Sequence, residues 1–142
     1  MIDNALARAM GSFQIHADQR LKLMNFFVIL LAGSLALFGS AIIGKNYLVE
    51  IVVSASIMVT TFVFKNLDKR TASLVKDAEK ALDVLEQRMS DELVMDEIKL
   101  IAAAEIKKGI LSYRQSYNIL FALGYVLGSF GLAHGAWQLM CP

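Results

Sequence analysis

Apolar and polar residues are sharply segregated along this chain. Three apolar runs, Leu23–Ile43, Leu48–Phe64 and Asn118–Met140, flank one long polar stretch, Lys65–Gln115. That stretch holds 20 of the 27 charged residues (14 Lys and Arg plus 13 Asp and Glu), 10 of each sign. The first run has 21 residues without a charge, and a helix of that length covers about 30 Å, the thickness of a bilayer's hydrocarbon core. It exceeds a signal-peptide core, and no small-x-small cleavage signature follows it, so it reads as a retained span. Gly44-Lys45-Asn46-Tyr47 is a turn, with Asn46 placed to cap the next helix and Tyr47 suited to the interface. Spans joined by so short a turn lie antiparallel.

Within the polar stretch, Leu67, Thr71, Leu74, Val75, Ala78, Ala81, Leu82, Leu85 and Met89 fall in an arc of about 120° on a helical wheel, and nearly everything else there is polar. Met89-Ser90-Asp91 interrupts this pattern with residues that cap helices. A return helix over 92–113 follows, with one stripe through Val94, Met95, Ile98, Ala102, Ile106 and Tyr113. A second stripe, Leu93, Leu100, Ala104 and Leu111, lies on its far side and needs a partner beyond the hairpin, most simply a neighbouring subunit. The expected fold is therefore an all-α integral membrane protein. It has three transmembrane helices and a long cytoplasmic antiparallel helical hairpin between the second and third. The divisions are an N-terminal interfacial helix or tail over 1–22, a transmembrane hairpin over 23–64, the cytoplasmic hairpin over 65–115, and the third span with a short external tail over 116–142.

Composition agrees with this reading. Of the 142 residues, 56% are hydrophobic, high for a soluble chain. The single Cys, Cys141, excludes an internal disulfide framework and any multi-Cys metal site. A net charge of +1 gives no general attraction to nucleic acid. Basic residues orient the chain. Arg8, Arg20 and Lys22 precede the first span, Lys65, Lys69 and Arg70 follow the second, and Lys107, Lys108 and Arg114 precede the third. Lys45 alone lies on the other side. By the positive-inside rule the N-terminus and the 65–115 segment are cytoplasmic and the C-terminus is external.

Few residues offer chemistry. Glu50 is an acid within a span, which is a functional hypothesis by default. A ring of such acids, continued by the hydroxyls of Ser54 and Thr61, would attract cations to a pore. The plainer reading places Glu50 in the first turn of its helix, favoured by the dipole and paired with Lys45. His134 could titrate or line a pathway, or simply bond a neighbour. Gly124, Gly128, Gly131 and Gly135 fall within about 60° of one another and form a ridge for close helix packing. No P-loop, GxSxG, HExxH, CxxC or paired-carboxylate motif is present, so no catalytic residue, cofactor or metal ligand is assigned and the chain is not read as an enzyme.

From Phe64 the chain reads F-K-N-L-D-K-R-T-A-S-L-V-K-D-A-E. A transmembrane hairpin followed by this L-D-x-R element resembles small bacterial membrane proteins of the RipA-like octameric family. It is similar, more loosely, to the SLATT-type membrane modules of bacterial conflict systems. The matching residues are Phe64, Leu67, Asp68, Arg70, Leu74 and Glu79, and the resemblance covers roughly Leu48–Leu85. The first resemblance implies an oligomeric inner-membrane protein, the second a pore-forming or membrane-disrupting effector. Asp68 and Arg70, just beyond the second span, would fix a subunit contact or the exit angle of the helix.

Two functions remain open on sequence. One is a homo-oligomer that forms or gates a pore, in a defence or stress system, with membrane lipid, further copies of itself and a cytoplasmic protein or signal as partners. The other is a non-conducting scaffold whose Leu93, Leu100 and Leu111 stripe binds a partner protein.

Overall fold

A computed structural model describes residues 2–93 and 113–141. The described residues form three helices: α1 (Ile2–Ile43), α2 (Tyr47–Leu93) and α3 (Tyr113–Met140), of 42, 47 and 28 residues. Each contains a stretch long and apolar enough to cross a membrane. No proline lies inside any of them to break the hydrogen-bond ladder. Two expectations change here. The N-terminal segment is helical and continuous with the first span, as the first half of α1, which runs through position 22 without interruption. Its Ala, Leu, Met, Arg, Gln and Lys residues are good helix formers, and Gly11 alone does not stop it. Likewise α2 continues through Met89-Ser90-Asp91 to Leu93, since neither Ser nor Asp forces a helix to end. The return helix expected over 92–113 lies almost wholly outside the described residues.

The turn between α1 and α2 is built to close both helix ends. Asn46 N–H bonds to the Ala41 carbonyl at 2.9 Å and Lys45 N–H to the Ile42 carbonyl at 3.1 Å. This is a Schellman closure that satisfies the last carbonyls of α1. The Asn46 side-chain oxygen then accepts from Val49 N–H at 3.3 Å and caps α2. The left-handed position of the closure, usually glycine, is Lys45, at φ 53°. Lys45→Gly is expected to stabilise the fold by about 0.5–1 kcal/mol, the relief of left-handed strain less the backbone entropy that glycine adds. An unchanged or lowered unfolding midpoint in detergent titration would contradict this.

The chain divides into two compact units. One comprises the described residues of Met1–Lys22 and Asp68–Ser112. Along this part of α2, Ala78 and Leu82 are buried and Thr71, Val75 and Leu85 half-buried, at alternating three- and four-residue steps. Leu74 and Ala81 on the neighbouring edge are exposed.

The other unit comprises Leu23–Leu67 and the described residues of Tyr113–Pro142. Its core is Met24 and Phe27 of α1 with Phe121 of α3, surrounded by Leu31, Phe64, Tyr117 and Leu120. The Phe27 ring lies 5.5 Å from that of Phe64 and 5.0 Å from that of Phe121, both tilted, a favoured aromatic geometry. Further along, Phe38 of α1 meets Ser54 of α2 and Gly131 of α3 around one point. These contacts set α2 antiparallel to both α1 and α3. Ile29, Val52, Phe62, Val126 and Phe130 point outward and are well exposed. Such an apolar exterior is costly in water and suits hydrocarbon.

Candidate functional site

The buried polar residues of the second apolar run share one stripe with Ile57. Glu50, Ser54, Ile57 and Thr61 recur at steps of four, three and four, so they lie on one side of α2. Glu50, Ser54 and Thr61 are each fully buried, at 0% exposure. The surface that buries them is the glycine ridge of α3. Gly124, Gly128, Gly131 and Gly135 are all buried there. A Cβ added at Gly124 would meet the Thr61 side chain, at Gly128 the Met58 side chain and Ser54 carbonyl, at Gly131 the Ser54 hydroxyl and Phe38 ring, and at Gly135 the side chain of Ile51. Two features that look separate in sequence, a polar face on α2 and a ridge of small residues on α3, are thus the two halves of one contact. Glycine suits each position because a Cβ there would have to displace these neighbours.

The hydroxyls on this stripe are satisfied within α2 itself. Ser54 donates to the Glu50 carbonyl and Thr61 to the Ile57 carbonyl, each at 2.7 Å. Such bonds to the preceding turn let a hydroxyl sit in an apolar interior. Neither hydroxyl faces an open lumen within this chain. Ser56 and Thr60, on the opposite side, are exposed and half-buried.

Glu50 has the most demanding position. Its Oε1 lies 2.7 Å from His134 Nδ1 of α3. Its Oε2 is buried without a hydrogen-bond partner. The partner of Glu50 is therefore His134, not the Lys45 favoured by proximity in sequence; Lys45 sits exposed in the turn. The His134 side chain is 32% exposed and its ring stacks on Phe130 at 6.0 Å. The site of Glu50 in the first turn of α2 adds a favourable interaction between a carboxylate and the helix dipole.

Asp68, in the other unit, is also held within the chain. Arg20 of α1 donates from Nε to Asp68 Oδ1 at 2.8 Å and from Nη2 to Oδ2 at 3.4 Å. Both side chains are largely buried, at 17% and 11% exposure. Arg20 could have been anticipated. It stands three residues before the first apolar run, and Asp68 stands four after the second, so antiparallel spans bring them to one depth. Arg70 is exposed. The Leu93 backbone ends α2, while Leu100 and Leu111 lie outside the described residues. Among the described residues no three His, Cys, Asp or Glu side chains converge on a point.

The chain is similar to CD-NTase-associated protein 19 of Escherichia coli. The two are 29% identical over 120 residues, which span 83% of this chain and 79% of that protein. No family model and no solved structure matches the chain.

Proposed function

We propose that this chain is a bacterial membrane protein that works beside a CD-NTase, as a component of an anti-phage defence system. In this reading it assembles with further copies of itself and forms or gates a pore. The observation that carries the proposal is the similarity to a CD-NTase-associated protein over most of both chains, joined to three helices able to cross a membrane. The RipA-like and SLATT-like features around Leu67, Asp68 and Arg70 support the same reading.

The buried stripe suggests how such a pore would be gated. With Glu50, Ser54 and Thr61 sealed against the glycine ridge, the closed bundle offers ions no polar path. Opening requires α3 to leave α2, which turns the same residues towards a lumen shared by several copies. The carboxylate of Glu50 would then favour cations. No catalytic role is part of the proposal.

The sealed stripe also gives the rival reading its support. A protein whose polar groups stay in its own interior can serve as a non-conducting anchor for a cytoplasmic partner. Ion release from proteoliposomes, with a large dye trapped alongside, separates the two. The pore reading expects ions to leave while dye stays, and Glu50→Gln to reduce the preference for cations over anions. Absence of flux from protein shown to be inserted and oligomeric, with the CD-NTase partner supplied, would favour the scaffold.

A further inference from the structure

We propose that Glu50 and His134 form a proton-binding site within the membrane bundle, and that α2 and α3 hold together best when the pair carries one proton between them. The proposal stands apart from the pore reading.

It starts from burial. The Glu50 side chain has no exposed surface, and one of its oxygens has no partner. An isolated charge in such a place is strongly disfavoured, whereas a net-neutral hydrogen-bonded pair is tolerated. Charge counting then orders the states. With Glu50 ionised and His134 neutral, the pair carries −1. Adding one proton to the imidazole gives a carboxylate–imidazolium pair of net charge zero, joined by the 2.7 Å contact. A second proton, on the carboxylate, gives +1 and removes the anion that the imidazolium binds. Loss or gain of a proton from the neutral state therefore leaves an uncompensated charge between α2 and α3.

Among the described residues no other group near the pair compensates for it. On α1 the run 23–43 has no titratable side chain. On α2 the neighbours are Tyr47, in the same first turn, and Lys45, exposed in the turn beyond. On α3, residues 126–140 contain no other titratable side chain, and Cys141 is exposed past the helix end. Protons have a route in, because His134 is partly open and Glu50 lies in the first turn of α2, about 4.5 Å along the axis from its start.

The test is the pH dependence of unfolding of the full-length protein in bilayer discs, titrated with a denaturing detergent. The single tryptophan, Trp137, lies one turn from His134 and reports locally. The native protein is expected to show a stability maximum, falling on both the acidic and the alkaline side. Glu50→Gln should keep the acidic fall and lose the alkaline one, because its histidine is charged only when protonated. His134→Gln should do the reverse, because its carboxylate is charged only when ionised. The double variant Glu50→Gln/His134→Gln should lose both falls and leave only the background of the exposed charges. A native profile that superimposes on that of the double variant overturns the proposal. So does a single variant that loses the wrong flank. If either single variant fails to fold, the comparison of native and double variant still decides.

Discussion

Gly131→Leu is expected to prevent the membrane bundle from closing. Gly131 lies where all three helices meet, and a Cβ built there already falls onto the Ser54 hydroxyl and the Phe38 ring. Leucine would add three further carbons. Neither neighbour can yield easily. The Ser54 hydroxyl is tied to the Glu50 carbonyl, and the Phe38 ring is itself buried. Overpacking in a well-filled interior costs about 1–3 kcal/mol, and the upper end applies where two neighbours must move at once. Separation of the helices would also break the Glu50–His134 contact, so the loss extends beyond the clash. Gly33→Ala and Gly39→Ala are the controls, since nothing lies within 4 Å of an added Cβ at either position. Detergent-titrated unfolding followed by circular dichroism should place Gly131→Leu far below both. A midpoint equal to that of the controls would show that the ridge is not a close contact.

The second large effect is expected at Arg20 and Asp68. Arg20→Ala or Asp68→Ala should each destabilise the protein by about 3 kcal/mol. Arg20→Ala leaves the Asp68 carboxylate without this cation in a mostly buried place, Asp68→Ala takes a charged partner from Arg20, and the remaining 11–17% exposure keeps the cost at the lower end for buried pairs. The double replacement Arg20→Leu/Asp68→Leu should recover much of the loss, because it removes both desolvated charges together. A coupling measured across this cycle of under about 0.5 kcal/mol, the value of a surface pair, would contradict the assignment. The same cycle bears on the L-D-x-R element. If Asp68 served a neighbouring subunit alone, its replacement would change assembly and leave the stability of the single chain untouched.

Much of the helical content is legible in the sequence because three long apolar runs without proline admit little else. The turn at Gly44–Asn46 is legible too, through Asn46. What sequence periodicity does not convey is continuity. A change from amphipathic to wholly apolar composition near position 22 looks like a boundary, yet composition governs what a helix faces, not where it stops. The same applies at Ser90-Asp91, where residues that favour caps are carried inside a helix. For the site, each half was visible alone. Glu50 stood out as an acid within an apolar run, and the four glycines as a ridge. Their meeting was not visible, because pairing depends on the relative height and rotation of α2 and α3, and Lys45 offered a nearer partner in sequence. Counting residues from the ends of antiparallel spans would have brought Arg20 to Asp68.

The proposed pore rests on one central claim, that conduction requires α3 to leave the polar stripe of α2. Thr61→Cys with Gly124→Cys, in a Cys141→Ser background, tests it directly. The Thr61 Cβ lies 3.3 Å from the Cβ position at Gly124, near the separation of about 3.8 Å that a disulfide bridges. Ion release from proteoliposomes is measured with the disulfide formed and again after reduction, with the proposed CD-NTase partner supplied. The account predicts no release from the oxidised protein, and release of ions but not of trapped dye after reduction. Equal release in both states would contradict it.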